Sequence, residues 1–170
     1  MKISKRIKFI ESICDKCNTF VDIGTDHGYV PYLMLKDKKA KKIIATDVRV
    51  KPIESAKTNL KIYDKNRIEF RIGDGLEVIG YDEADGICIC GMGYDLIKRM
   101  LENIHLYKFN YLLVSPHTKH IDFENFIKEK KLFYNLYIIE DNKKNYYIYK
   151  IRKNILLYIK DKFFKWRLMN

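Results

Sequence analysis

Short apolar runs, each stopped by a glycine, an aspartate or a proline and separated by stretches of helical spacing, restrict the folds open to this chain. Residues 19–23 stop at Gly24, 42–46 at Asp47, 67–72 at Gly73-Asp74-Gly75, 86–90 at Gly91-Met92-Gly93 and 111–115 at Pro116. Between these predicted strands, residues 29–36, 51–63, 95–104 and 122–130 have helical spacing, and Pro52 falls in a first turn, where a missing N–H costs nothing. Ile3, Ile7, Ile10 and Ile13 mark one face of a helix ahead of the first strand. Two further runs, 136–140 and 146–151, flank Asn142-Lys143-Lys144-Asn145 and read as a hairpin. The expectation is one α/β domain, a mostly parallel seven-stranded sheet with an antiparallel C-terminal hairpin and helices on both faces. An apolar fraction of 47% over 170 residues is enough to fill its core.

In open sheets of this kind ligands bind outside the carboxyl ends of the strands, so the loop contents carry the function. The first turn reads Asp22-Ile23-Gly24-Thr25-Asp26-His27-Gly28, where Gly24 and Gly28 admit a ligand close to the backbone. The second run ends in Asp47, placed to accept hydrogen bonds from both hydroxyls of a ribose, and the third offers Asp74 as an acceptor for an adenine amine. Asp26 stands where a dinucleotide fold keeps a small residue beside its phosphates, which disfavours a nicotinamide dehydrogenase. A carboxylate there suits a nucleoside that carries positive charge and no phosphate, and S-adenosyl-L-methionine has that chemistry. Any one of these acidic loops alone is ordinary turn chemistry. His27 either contacts the cofactor or serves the loop itself, and Gly91-Met92 leads a turn whose N–H groups can meet a ligand or close-pack a helix entry.

The net charge of +11 sits at the two ends of the chain: Lys2, Lys5, Arg6 and Lys8 at the start, and nine Lys or Arg against Asp141 and Asp161 from residue 141 onward. Basic ends attract nucleic acid, although a Lys-rich composition also follows from an AT-rich genome. Cys14, Cys17, Cys88 and Cys90 come without a signal-peptide pattern, which points to a reducing cytoplasm. A four-cysteine zinc site is the minor reading, because Cys88 and Cys90 lie in an apolar run. No stretch reaches the roughly 18 uninterrupted apolar residues of a membrane span.

Residues 3 to 151 resemble the bacterial tRNA (adenine-N1)-methyltransferases that modify position twenty-two in the D-arm. The resemblance runs through Ser4-Lys5-Arg6, the stretch from Asp22 to Tyr29-Val30-Pro31, Pro52 with Ser55-Ala56-Lys57, Gly73-Asp74-Gly75-Leu76-Glu77, Gly91-Met92-Gly93 and Tyr146-Tyr147. Gly24-Thr25-Asp26-His27 followed by Tyr29 and Pro31 is its most specific part. This chain has Tyr94-Asp95 where the family usually has a second glycine pair, and Ser115-Pro116-His117 where it usually has Gln-Pro-Asn. Family members also usually continue into a C-terminal helical coiled-coil domain, whereas this chain stops at Asn170.

The resemblance implies a Rossmann-like class I S-adenosylmethionine-dependent methyltransferase fold. Residues 1–151 are then the methyltransferase domain and 152–170 a short basic helical tail. It implies a cytoplasmic enzyme acting on tRNA, with no membrane partner; a monomer suffices, and the oligomeric state is left open. The cofactor set is Asp22, Gly24, Asp26, His27, Gly28, Asp47, Asp74, Gly91 and Met92. N1 of adenine is already a nucleophile, so the reaction needs orientation more than a base, and an unpaired or flipped adenine needs a platform. Tyr29, Pro116 and His117 are the candidates, with Tyr94 closing the pocket. Two alternatives stay open: another nucleic-acid or small-molecule methyltransferase with the same cofactor site, and a tRNA-binding relative without turnover.

Overall fold

The structure, a computed structural model, describes residues 3–169, with side chains as far as Lys162. Lys2, Asn170 and the side chains of Lys165 and Arg167 in the basic tail lie outside the described residues. The seven strands are β1 (Cys17–Ile23), β2 (Ala40–Asp47), β3 (Ile68–Ile72), β4 (Gly86–Met92), β5 (Tyr111–Pro116), β6 (Phe133–Asp141) and β7 (Lys144–Arg152). The helices are α1 (Lys5–Ser12), α2 (Tyr29–Lys36), α3 (Val50–Leu60), α4 (Tyr94–Leu101), α5 (His120–Glu129) and α6 (Ile155–Met169). The sheet order is β3-β2-β1-β4-β5-β7-β6, with β1 to β5 parallel and β7 antiparallel to both its neighbours, so the α/β fold expected from the alternation is borne out.

The two-residue period of the strands sends alternate side chains to opposite layers. Val21, Ile23, Ile87, Ile89, Leu112 and Val114 pack under Ile97 and Leu101 of α4 and Phe123 and Ile127 of α5. Phe20, Ile43, Cys88 and Leu113 face the other way, against Ile10 of α1, Met34 of α2, and Ala56 and Leu60 of α3. Each large aliphatic or aromatic side chain buried in this way stabilises the fold by roughly 1.5–3 kcal/mol. The helices are short, and this burial rather than intrinsic propensity holds them.

The hairpin is tighter and longer than its polar centre suggests. Asn142 and Lys143 have φ of +53° and +61°, the two-residue connection that matches strand twist, so Lys144 and Asn145 join the ladder and pair with Asp141 and Glu140. Those ladder ends are half-exposed or exposed, which is why polar residues serve there.

Gly86 opens β4 directly opposite Tyr111 of β5. A Cβ at Gly86 would lie 2.5 Å from Tyr111 Cζ and Oη, and Tyr111 is fully buried with its hydroxyl donating to the Asp15 carbonyl at 3.1 Å. Gly86→Ala is therefore expected to cost about 1–3 kcal/mol by overpacking. Urea melts check this; in a double-mutant cycle, Tyr111→Leu should recover part of the loss, and simple additivity would refute the clash.

Candidate active site

Strand order reverses between β1 and β4, and the loops after β1 to β4 converge on the crevice outside their carboxyl ends. The first turn is fastened there by the backbone. Gly24 and Thr25 both donate to the Thr46 carbonyl at 2.8 Å, and Gly73 donates to the Asp47 carbonyl at 3.1 Å. Gly24 has a φ of +74°, which strains any side chain, and the terminal methyl of Met92 lies where a Cβ would stand and would have to move aside for it. At the end of β4 the ladder with β5 slips between Cys90 and Met92, and Gly91, at φ +92°, takes up the bulge. Gly91 and Met92 thus belong to the strand rather than to a loop beyond it.

Two adjoining cavities fill the crevice. The larger, about 420 Å³, is lined by Asp22, Gly24, Asp26, His27, Gly28, Tyr29, Asp47, Gly91, Met92 and His117 from the expected set, and also by Ser4, Arg6, Ile7 and Arg49. The smaller, about 250 Å³, is lined by Asp47, Arg49, Asp74, Gly75, Met92, Leu96 and Met100. Together they match the size of a small-molecule site. Two of the expected residues line neither cavity. Pro116 is buried as the last residue of β5, where it pairs with Met92, and Tyr94 opens α4 with its ring 5.8 Å from Lys119 Nζ.

The four acidic residues of the crevice differ in their partners. Asp22, at 7% exposure, has no cationic partner among the described residues, and burial, with the Asp47 carboxylate as a lesser cause, pushes its pKa up to about 7. Asp47 Oδ1 accepts from the Arg49 backbone N–H at 2.9 Å and from Arg49 Nε at 3.2 Å. Asp74 Oδ2 accepts from Arg99 Nη2 at 2.7 Å. Asp26 is exposed and stands 3.6 Å from His27 Nε2. His27 is tied to the protein on its other side, with Nδ1 2.7 Å from Ser55 Oγ and its ring stacked on Tyr29 at 5.2 Å. Burial, then the charges of Arg6 and Lys144, lower the pKa of His117, and Arg6 Nη1 donates to its Nε2 at 3.1 Å, which fixes Nε2 as the acceptor of a neutral ring.

Arg49 and Arg99 were missed by reading the sequence, since nothing in it says which cation will settle on which carboxylate. The only signal was proximity, Arg49 lying two residues beyond Asp47. The cysteines take other work: Cys14 Sγ donates to the Ile10 carbonyl at 3.3 Å, and among the described residues no three His, Cys, Asp or Glu stand together as a metal site. None of the described helices is long and apolar enough to cross a membrane.

A family model described as a methyltransferase domain matches residues 3–149. The chain is 36% identical over 151 residues to the tRNA (adenine(22)-N(1))-methyltransferase of Bacillus subtilis, covering 86% of this chain and 63% of that relative, so it spans less than two thirds of the relative's length. It superposes on the crystal structure of the Bacillus subtilis M1A22 tRNA methyltransferase with a TM-score of 0.80 at 30% identity, over 90% of this chain and 67% of that one. A Streptococcus pneumoniae protein solved in complex with S-adenosyl-L-methionine gives 0.82 at 28% identity, over 89% and 73%. With a family model matched over residues 3–149, the chain belongs to the methyltransferase-domain family.

Proposed function

We propose that this chain binds S-adenosyl-L-methionine in the two cavities and directs its methyl group to N1 of an adenine in tRNA, at position 22 of the D-arm. The observation that carries the cofactor is Asp22, a buried carboxyl at the end of β1 with no cation of its own among the described residues. A ligand bearing a sulfonium and an ammonium completes it. Asp47 and Asp74 then meet the ribose hydroxyls and the adenine amine, and Gly24, Gly28, Gly91 and Met92 shape the wall. The substrate rests on the similarity to tRNA methyltransferases noted above.

When bound, the cofactor supplies an electrophilic methyl group. The protein has to place the base, exclude water and keep N1 unprotonated, and no strong general base is required. A neutral His117 suits that task, because an imidazolium beside N1 would oppose the charge that methylation puts on the base. Tyr29, steadied by His27, and His117 are the residues proposed to receive the base, with Pro116, buried at the end of β5, fixing the backbone that carries His117. Residues 1–151 form the methyltransferase unit on this reading and 152–170 a basic helical extension, in a cytoplasmic protein. The test is incubation with labelled S-adenosyl-L-methionine and unmodified tRNA, followed by mapping of the methyl group. Label at N1 of adenine 22 is the expected result, and label elsewhere or none overturns the reading.

Asp22 makes cofactor affinity depend on pH. Its pKa without a ligand is raised to about 7, so the neutral form is the one the fold prefers; that contribution to stability is complete below the ordinary carboxylate range and is lost as pH rises through about 7. A cationic ligand selects the ionised form, so affinity should fall about tenfold from pH 8 to pH 6. Calorimetry on the wild type and on Asp22→Asn separates this from titration of the ligand. The variant should bind weakly and keep only the pH dependence that the ligand itself contributes, and an equal slope in both would exclude Asp22 as the cause.

A further inference from the structure

Arg6 is held by three elements at once. Its backbone N–H donates to Asp141 Oδ2 at 3.0 Å, its Nη1 donates to His117 Nε2 at 3.1 Å, and its guanidinium carbon lies 4.5 Å from the centre of the Tyr146 ring. Lys144 Nζ lies 5.3 Å from the centre of the same ring. Helix α1 and the residue after β5 thus bring Arg6 and His117 to the wall of the larger cavity, and the β6–β7 hairpin sets the Tyr146 ring and the Lys144 ammonium beside Arg6.

The other arginines of the crevice are already engaged, Arg49 on Asp47 and Arg99 on Asp74. Among the described residues, neither the Arg6 guanidinium nor the Lys144 ammonium is paired with a carboxylate. The one carboxylate close by, Asp141, accepts from the Arg6 backbone N–H rather than from its side chain. A guanidinium laid on an aromatic ring and bonded through one nitrogen has lost rotamer freedom in advance and still has donors to offer. That is the chemistry of a phosphate anchor, and bidentate guanidinium contacts suit a phosphodiester.

We propose that Arg6, steadied by Tyr146 and flanked by Lys144, receives a phosphodiester of the RNA strand that carries the target base, so that the base enters the cavity beside His117. This rests on the methyl-transfer reading and deepens it. The anchor selects a polynucleotide over a free nucleoside or another small molecule, a choice that a cofactor site cannot make by itself.

The test uses the full chain. Equilibrium binding of unmodified tRNA is measured over a series of KCl concentrations for the wild type, Arg6→Ala, Lys144→Ala and Tyr146→Leu, with S-adenosyl-L-methionine affinity measured in parallel. Arg6→Ala and Lys144→Ala should each lower the slope of log K against log salt by about one, with Arg6→Ala weakening binding about tenfold. Tyr146→Leu removes no charge, so it should weaken binding and leave the slope alone. Lys144 is exposed on the hairpin, so its substitution carries little risk to the fold. Unchanged slopes for both cation variants overturn the anchor even where the wild type methylates tRNA. Reduced slopes with the methyl mapped away from N1 of adenine leave the anchor standing and overturn the functional reading.

Discussion

Arg152→Ala is expected to lower the free energy of unfolding by about 3–5 kcal/mol, the usual cost of removing one partner from a buried ion pair. Arg152 ends β7 at 2% exposure. Its Nη2 donates to Asp15 Oδ2 at 2.6 Å and Asp161 Oδ1 at 2.9 Å, its Nε to Asp161 Oδ2 at 2.8 Å, and its Nη1 to the Asn110 carbonyl at 2.9 Å. Lys150, also buried, donates to Asp15 Oδ1 at 2.7 Å and stands 3.6 Å from Asp161 Oδ1, but a single ammonium cannot reproduce the guanidinium's hydrogen bonds to both acids and the Asn110 carbonyl. Asp161 is the more buried of the two carboxylates and stands on α6, so its lost partner costs most and the helix should loosen with it. Burial raises the pKa of Asp15, but hydrogen bonds and charge from Lys150 and Arg152 outweigh it and hold Asp15 below the ordinary range. Its contribution is therefore present at neutral pH and lost as pH falls through its folded pKa, and the gap between wild type and variant should narrow in acid. Urea melts at neutral and acidic pH measure both effects, and hydrogen exchange over residues 155–162 follows the helix. A loss below about 1 kcal/mol would mean that solvent screens the cluster as it does surface pairs.

That cluster also shows where reading the sequence stops. Counted along the chain, Arg152 is one more cation of a basic tail; in the fold it closes a strand and is consumed by Asp15, which lies 137 positions away in sequence. Strands and helices were legible because their signals are local: apolar period, a glycine stop, a proline in a first turn. The acidic loops were legible for the same reason, since topology alone brings the ends of β1, β2 and β3 together once the alternation is recognised. Partner choice is not local. That Asp47 and Asp74 would meet arginines while Asp22 would not depends on helix packing, as does the placement of Arg6 against Tyr146. Pro116 read as part of a loop because proline usually ends a strand, yet as the final residue of β5 it is buried in the ladder beside β4.

Asp47→Ala is expected to weaken S-adenosyl-L-methionine binding by about 100-fold or more, with little change in the fold. Two charge-assisted hydrogen bonds to a ribose contribute about 1.5–3 kcal/mol each, and every 1.4 kcal/mol is a factor of ten in affinity. A second effect acts in the same direction. Arg49 loses the carboxylate that holds it at 3.2 Å and becomes an unpaired cation in the cavity proposed to take a cationic ligand. The two contributions separate in a cycle. Arg49→Ala alone removes a competitor for Asp47 and should leave affinity unchanged or tighter. The double variant should recover the repulsive part of the loss and none of the hydrogen-bonding part. Calorimetry at fixed pH and salt measures all four proteins, with thermal melts to confirm that each is folded. Affinity within threefold of wild type for Asp47→Ala would remove Asp47 from the ribose and the cofactor from this crevice; full recovery in the double variant would show that Asp47 serves only to hold Arg49 out of the way.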